Sequence, residues 1–123
     1  MLGLDKLEKA LLILEKKLSI FAKLISFEPK LARVHITLRD NTQIFIRYNN
    51  HSEYSYTTLF SKGVLDRCRF DNYDDKWEVS TRPHHFHPRY KKEAILSRMN
   101  GNPEDDMPYF CSLIKSGKIM SLS

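Results

Sequence analysis

The sequence predicts an α+β fold in which a long N-terminal helix packs on an antiparallel meander of four to five strands, followed by a short C-terminal helix. Three observations predict it: leucines at helical spacing near the N-terminus, alternating segments in the middle, and a proline-initiated apolar segment near the C-terminus. At 123 residues the chain is long enough for one hydrophobic core. We therefore expect a single domain over residues 1–123, with its core over about residues 4–116.

Apolar residues at three- and four-residue steps predict one amphipathic helix over residues 4–25. The repeat includes Leu7, Leu14 and Leu18, and Phe21 and Ile25 continue it. A following Glu-Pro pair ends the helical pattern. The apolar stripe is wider than a coiled-coil seam, so the helix can cover a sheet and still present a strip to a partner. A homodimer is therefore one option.

Period-two alternation predicts four antiparallel strands, at residues 31–39, 43–48, 54–60 and 64–71. Short polar breaks with turn chemistry separate the strands. Symmetrical closure of each hairpin gives three opposed pairs: Arg39 with Gln43, Tyr48 with Tyr54, and Phe60 with Val64. A fifth extended segment is expected at residues 84–87.

This register separates an apolar face, which the N-terminal helix would cover, from a basic face. Tyr54 and Tyr56 fall on the apolar face and are expected to be structural. A basic surface with an exposed aromatic is suited to single-stranded RNA, through phosphate contacts and base stacking. The alternative is a solvated face with scattered arginines. The predicted RNA-binding residues of this face are Arg33, Arg39, Phe45, Arg47, Arg67 and Arg69.

Three histidines within four residues, His84, His85 and His87, lie between Arg82 and Arg89. Imidazole accepts or donates protons near neutral pH, and arginine binds phosphate. The pattern indicates acid–base and electrostatic catalysis on a phosphodiester, in which the histidines transfer protons and Arg82 holds the phosphate, with Arg89 as a further RNA contact. One alternative is a solvated loop in which the histidines cap backbone groups.

Metal binding is a second alternative for the histidine segment. His85 and His87 lie on one side of an extended strand, which permits two ligands. However, their spacing does not match zinc-binding motifs, and neither Cys68 nor Cys111 belongs to a CxxC pair. We therefore expect no metal and no cofactor.

Near the C-terminus, Asn102 and Pro103 predict the start of a helix, as its N-cap and first residue. Gly117 predicts its end. Pro108 argues against a continuous helix, because a proline inside a helix removes a hydrogen bond, and the alternative is a helix that begins near Pro108.

Composition restricts the class of protein. The net charge of +5 is compatible with an anionic partner. No apolar segment has the length needed to span a bilayer, and the N-terminus lacks a signal-peptide pattern. Two isolated cysteines favour a reducing compartment. A cytoplasmic protein is expected.

Several short motifs occur in a fixed order: Ile-Thr-Leu-x-Asp-x-Thr at residues 36–42, Tyr-Ser-Tyr at 54–56, Arg-Phe-Asp-Asn at 69–72 and Pro-His-His-x-His at 83–87. With the helices at both ends, they resemble the TumE-type toxin family of type II toxin–antitoxin systems, over roughly residues 4–114. The resemblance implies a toxin with ribonuclease-like action on RNA and a cognate antitoxin as its partner. We therefore expect a toxin that is a metal-independent ribonuclease. The alternative is a non-enzymatic nucleic-acid-binding or regulatory module.

Overall fold

The computed structural model describes residues 2–123 and shows two helices on one side of an antiparallel sheet, which confirms the α+β class. Each strand pairs with the strand that precedes it and the strand that follows it in sequence, so the sheet is a meander. The elements are α1 Gly3–Leu18, β1 Ala22–Glu28, β2 Arg33–Leu38, β3 Gln43–Tyr48, β4 Tyr54–Leu59, β5 Arg67–Asp71, β6 His85–His87, β7 Ile95–Leu96 and α2 Pro103–Ser116. Short 3₁₀ turns occupy Pro29–Leu31 and Lys118–Met120.

The N-terminal helix ends at Leu18, so the prediction of a helix to residue 25 is wrong. The segment Ala22–Glu28 is instead the edge strand β1. A tight turn separates α1 from β1, and in it the Phe21 N–H donates to the Leu18 carbonyl at 3.0 Å. The Arg39 N–H, which follows β2, donates to the Phe21 carbonyl at 3.1 Å. Pairing with β2 satisfies the backbone of this segment, and this tertiary pairing overrides the helical spacing of its apolar residues.

The sheet has seven strands rather than the expected four to five. One addition is β1, which the prediction assigned to the helix, and the other is the two-residue strand β7. The expected fifth segment is β6, over His85–His87.

Strand register agrees with the prediction in one hairpin and differs by two residues in two others. Tyr48 lies opposite Tyr54 as expected. In the β2–β3 hairpin, Gln43 lies opposite Thr37 rather than Arg39, because a longer turn closes on a hydrogen bond from the Leu38 N–H to the Thr42 carbonyl. In the β4–β5 hairpin, Leu59 lies opposite Arg67, whereas the prediction paired Phe60 with Val64. A shift of two residues keeps every side chain on its predicted face.

The helix-facing side of the sheet forms the hydrophobic core with α1 and α2. On α1 the buried stripe includes Leu7, Ala10, Leu14 and Leu18, whereas Leu4 is 48% exposed. The strand residues of this core are Ala22, Val34, Ile36, Ile44, Ile46, Tyr48, Tyr54, Tyr56, Cys68, Phe70 and Phe86. Tyr54 and Tyr56 are therefore core residues, as the alternation predicted.

The C-terminal helix begins and ends where the sequence predicted. The Glu104 N–H donates to Asn102 Oδ1 at 3.1 Å, and Gly117 ends the helix with a positive φ of 77°. Pro108 lies inside the helix, which continues past it to Ser116. Among residues 2–123, neither helix is long and apolar enough to cross a membrane.

Asp106 ties this helix to the sheet through a buried polar network. Its carboxylate accepts hydrogen bonds from the Tyr56 hydroxyl at 2.6 Å and from the Gly101 N–H at 2.8 Å. The Tyr56 and Tyr48 hydroxyls lie 2.9 Å apart. Burial raises the pKa of Asp106, although the hydrogen bonds it accepts oppose that shift.

Candidate RNA-binding surface and Asp–His cluster

The sheet side that faces away from the helices, here called the open face, carries one continuous row of polar and aromatic side chains. The register places His35, Phe45, Thr57, Arg69 and His87 opposite one another across β2 to β6. Adjacent strands lie about 4.8 Å apart, so the row is about 19 Å long. Its two ends have different chemistry: stacked rings at one end and a charged cluster at the other.

At the first end, the rings of His35 and Phe45 stack with their centroids 4.4 Å apart. The Arg33 guanidinium lies 5.1 Å above the Phe45 ring and pairs with Glu28 at 2.5 Å. Because Glu28 belongs to β1, which the prediction assigned to the helix, the sequence prediction did not place this carboxylate on the open face. Two other predicted RNA-binding arginines donate to backbone carbonyls: Arg39 to Ile20 at 2.8 Å and Arg47 to Leu31 at 3.1 Å.

At the other end of the row lies a cavity of about 240 Å³, here called the cationic cavity. Its lining includes four basic side chains, Arg67, Arg69, Lys91 and Lys92, together with His87. Arg67 and the two lysines are exposed. A concave site lined by several cations and an imidazole is suited to phosphate.

Beside the cationic cavity, Asp71, His85 and His87 form the Asp–His cluster. One ligand atom from each residue lies within 4.8 Å of the others, so these three side chains could hold a metal ion. Asp71 is fully buried, and its two oxygens contact His85 Nε2 and Arg69 Nε. Within residues 2–123, neither oxygen accepts an aligned hydrogen bond. Alternation along β5 and β6 brings these three side chains to the same side of the sheet.

The tautomers of both histidines follow from their neighbours. His85 Nδ1 lies 2.9 Å from the Pro83 carbonyl, which can only accept, so Nδ1 carries the proton. Arg69 Nη2 lies 3.3 Å from His87 Nε2, and a guanidinium only donates, so His87 Nε2 is the acceptor. Both Nε2 atoms therefore have lone pairs when the rings are neutral.

Burial controls the electrostatics of the Asp–His cluster. It raises the pKa of Asp71, and the charges of Arg69 and His85 partly oppose this effect. Burial also lowers the pKa of His87 to about 4, with additional lowering from Arg69 and His85. His87 is consequently neutral near pH 7.

Trp77, in the loop between β5 and β6, covers the Asp–His cluster. Its ring centroid lies 5.5 Å from that of His87, edge to face, and 6.3 Å from that of His85. This cover explains why His85 is only 1% exposed on a sheet face opposite the core.

Three residues predicted from the histidine segment lie outside the cluster. His84 points to the opposite side, where its Nδ1 lies 2.9 Å from the Tyr54 hydroxyl. Arg82 is exposed and pairs with an aspartate and a glutamate of its own loop. Arg89 pairs with Asp66 and lies over the Phe60 ring.

The structure adds four residues that were not among the predicted site residues: Asp71, Trp77, Lys91 and Lys92. Alternation from Arg69 places Asp71 on the open face near a histidine segment, but the prediction did not assign Asp71 to the site. Lys91 and Lys92 belong to the loop between β6 and β7, and Trp77 belongs to the loop between β5 and β6. The positions of loop side chains do not follow a periodic pattern, so the sequence did not predict them.

The fold and the surface define a basic α+β domain with an Asp–His cluster beside a cationic cavity. A family model described as Toxin TumE matches residues 10–115 of the sequence. The chain therefore belongs to the TumE toxin family, which confirms the resemblance and implies an antitoxin as partner. Comparisons with curated proteins and with solved structures found no match.

Proposed function

We propose that this toxin acts on RNA as a ribonuclease and that the cationic cavity holds the phosphate at the cleaved bond. The observation that carries the proposal is the presence of His87 in the lining of a cavity with four basic side chains. Phosphodiester cleavage needs a group that exchanges protons and cations that stabilise the charge on phosphorus. Both requirements are met in this one cavity.

The proposed reaction uses the RNA 2′-hydroxyl as nucleophile and needs no metal. The 2′-oxygen forms a bond to phosphorus while the bond to the 5′-oxygen breaks, which leaves a cyclic phosphate and a free 5′-hydroxyl. His87 Nε2 accepts the proton of the 2′-hydroxyl after Arg69 turns from it toward the phosphate. The 5′-oxygen takes a proton from the ammonium group of Lys91 or Lys92, which line the same cavity.

The open face supports a binding site for a neighbouring nucleotide. Phe45 lies three strand spacings from His87 in the same row, a distance of about 14 Å. A base stacked on Phe45 would therefore belong to a different nucleotide from the cleaved phosphate. The Arg33 guanidinium, which lies 5.1 Å from the Phe45 ring centroid, would turn from Glu28 to contact the phosphate of that nucleotide.

Cleavage of a labelled single-stranded RNA by the full chain, made by cell-free synthesis, tests the proposal. We expect cleavage in excess chelator and a loss of about 100-fold or more in His87→Ala, because general acid–base groups typically contribute this much. His51→Ala changes an exposed turn histidine and is the matched control. Arg67→Ala and Arg82→Ala form a second pair of variant and control, because Arg67 lines the cavity and Arg82 does not.

Several outcomes would contradict the ribonuclease proposal. RNA binding without cleavage in the wild-type chain would favour the non-enzymatic binding module. Equal activity of His87→Ala and His51→Ala would exclude His87 from the reaction. Activity that is lost in chelator and restored by one divalent ion would contradict metal-free cleavage.

The cytoplasmic location and the homodimer stay predictions. An RNA substrate is consistent with the first. Sedimentation of the purified chain over a range of concentrations tests the second, and a monomer at all of them would exclude a stable homodimer. Co-purification with the protein encoded beside it would test the antitoxin pairing.

A further inference from the structure

The contact between His85 and Asp71 requires a cation. Because His85 Nδ1 donates to the Pro83 carbonyl, the Nε2 lone pair of the neutral ring points at Asp71 Oδ1. Two lone pairs at contact distance repel each other unless a proton or a metal ion lies between them. The side chains at this position are therefore arranged around a positive charge.

We propose that Asp71, His85 and His87 bind one divalent transition-metal ion through a carboxylate oxygen and the two Nε2 atoms. Imidazole and carboxylate are ligands for zinc, nickel, cobalt and iron, and three protein ligands leave one or more positions open. Two ligands at about 2.1 Å from an ion in tetrahedral geometry lie about 3.4 Å apart. The ligand atoms here lie within 4.8 Å of one another, so small side-chain rotations would complete the site.

The surroundings of the cluster have two features of a metal site. The Pro83 carbonyl holds the His85 ring in the tautomer that presents Nε2, as outer carbonyls do for metal-bound histidines. The Asp71 carboxylate is fully buried, and within the described residues 2–123 neither of its oxygens accepts an aligned hydrogen bond. Burial of a carboxylate is costly, and a metal ion in place of the Arg69 guanidinium would compensate that cost.

Arg69 must move for the ion to bind. Its Nη2 lies 3.3 Å from His87 Nε2, and its Nε contacts the second oxygen of Asp71. The Arg69 side chain is 41% exposed, so the guanidinium can turn into the cationic cavity and release His87. The other basic side chains of the cavity repel a metal cation, so we expect weaker metal binding than in structural zinc sites.

Binding would also regulate the proposed ribonuclease, and this part of the inference rests on the proposed function. An ion on His87 Nε2 uses the lone pair that would accept the 2′-hydroxyl proton. Zinc is therefore expected to inhibit metal-free cleavage, and a chelator is expected to restore it.

Titration of the chelator-treated full chain with Co²⁺ alone tests the metal site without RNA. Cobalt in a site of low coordination number has strong visible absorption, and Zn²⁺ should displace it. We expect one equivalent to bind the wild-type chain and His51→Ala equally. Binding should be weakened by about tenfold or more in His87→Ala and in Asp71→Asn.

Absence of the absorption band and of Zn²⁺ binding in the wild-type chain would overturn the metal site, as would unchanged binding in both variants. If Asp71→Asn does not fold, His87→Ala decides, because His87 lies outside the core and circular dichroism will report its folding. Cleavage that requires the ion would leave the metal site standing and overturn only the metal-free reaction. Binding without any cleavage would overturn only the proposed function.

Discussion

The salt dependence of RNA binding is the sharpest test of the cationic cavity. Each phosphate that a protein neutralises on a single strand lowers the slope of log K against log salt by about 0.7. Arg67, Lys91 and Lys92 are counted as these contacts, whereas the charge of Arg69 is offset by the Asp71 carboxylate beside it, also when the guanidinium turns toward the phosphate. Three contacts predict a slope of about −2.1, so a fourfold rise in salt should weaken binding about 20-fold.

Substitution of Arg67 by alanine should change this slope in a defined way. Loss of one phosphate contact predicts a slope of about −1.4, which corresponds to about sevenfold weakening over the same salt range. Fluorescence anisotropy with a short labelled RNA measures both slopes. Arg82→Ala removes the same charge outside the cavity and should keep the wild-type slope. Equal slopes for the two arginine variants would refute the phosphate assignment.

Three further predictions concern stability, measured by denaturant unfolding. Leu14→Ala should cost about 2–5 kcal/mol because Leu14 is fully buried, whereas Leu12→Ala, at a position that is 69% exposed, should change stability by less than about 0.5 kcal/mol. Asp106→Asn should cost about 1–3 kcal/mol, because one carboxylate oxygen that accepts from buried donors becomes an NH₂ group; stability equal to wild type would contradict this. Gly117→Ala should cost about 1–2 kcal/mol from its positive φ alone. Gly101→Ala should cost more, because a Cβ at Gly101 would also lie 2.9 Å from the Tyr54 ring; equal costs would contradict this clash.

Local sequence patterns predicted most of the fold because each pattern has a physical cause that acts within a few residues. Alternation in β2 to β5 follows from burial of one sheet face, and Asn102 and Gly117 satisfy the two ends of α2. The end of α1 was predicted wrongly because its apolar spacing continues into β1. In this segment the choice between helix and strand depends on pairing with β2, which lies later in the chain.

The candidate site was predicted less completely than the fold. The basic face and His85 and His87 were identified, because they lie on strands whose faces follow from alternation. The cationic cavity depends on Lys91 and Lys92, and the burial of the Asp–His cluster depends on Trp77. These side chains lie in loops, and loop positions are decided by tertiary contacts that a sequence pattern does not encode.

The two faces of the sheet separate stability from chemistry. The helix-facing side contains the hydrophobic core, and the open face carries the polar row and the Asp–His cluster. Asp71 is the exception, because it is a fully buried carboxylate on the open face and burial of charge generally opposes stability. A hydrophobic residue at this position would avoid that cost. Buried carboxylates of this kind are typical of functional sites, which favours Asp71, rather than the exposed Arg82, as a ligand of the proposed metal ion.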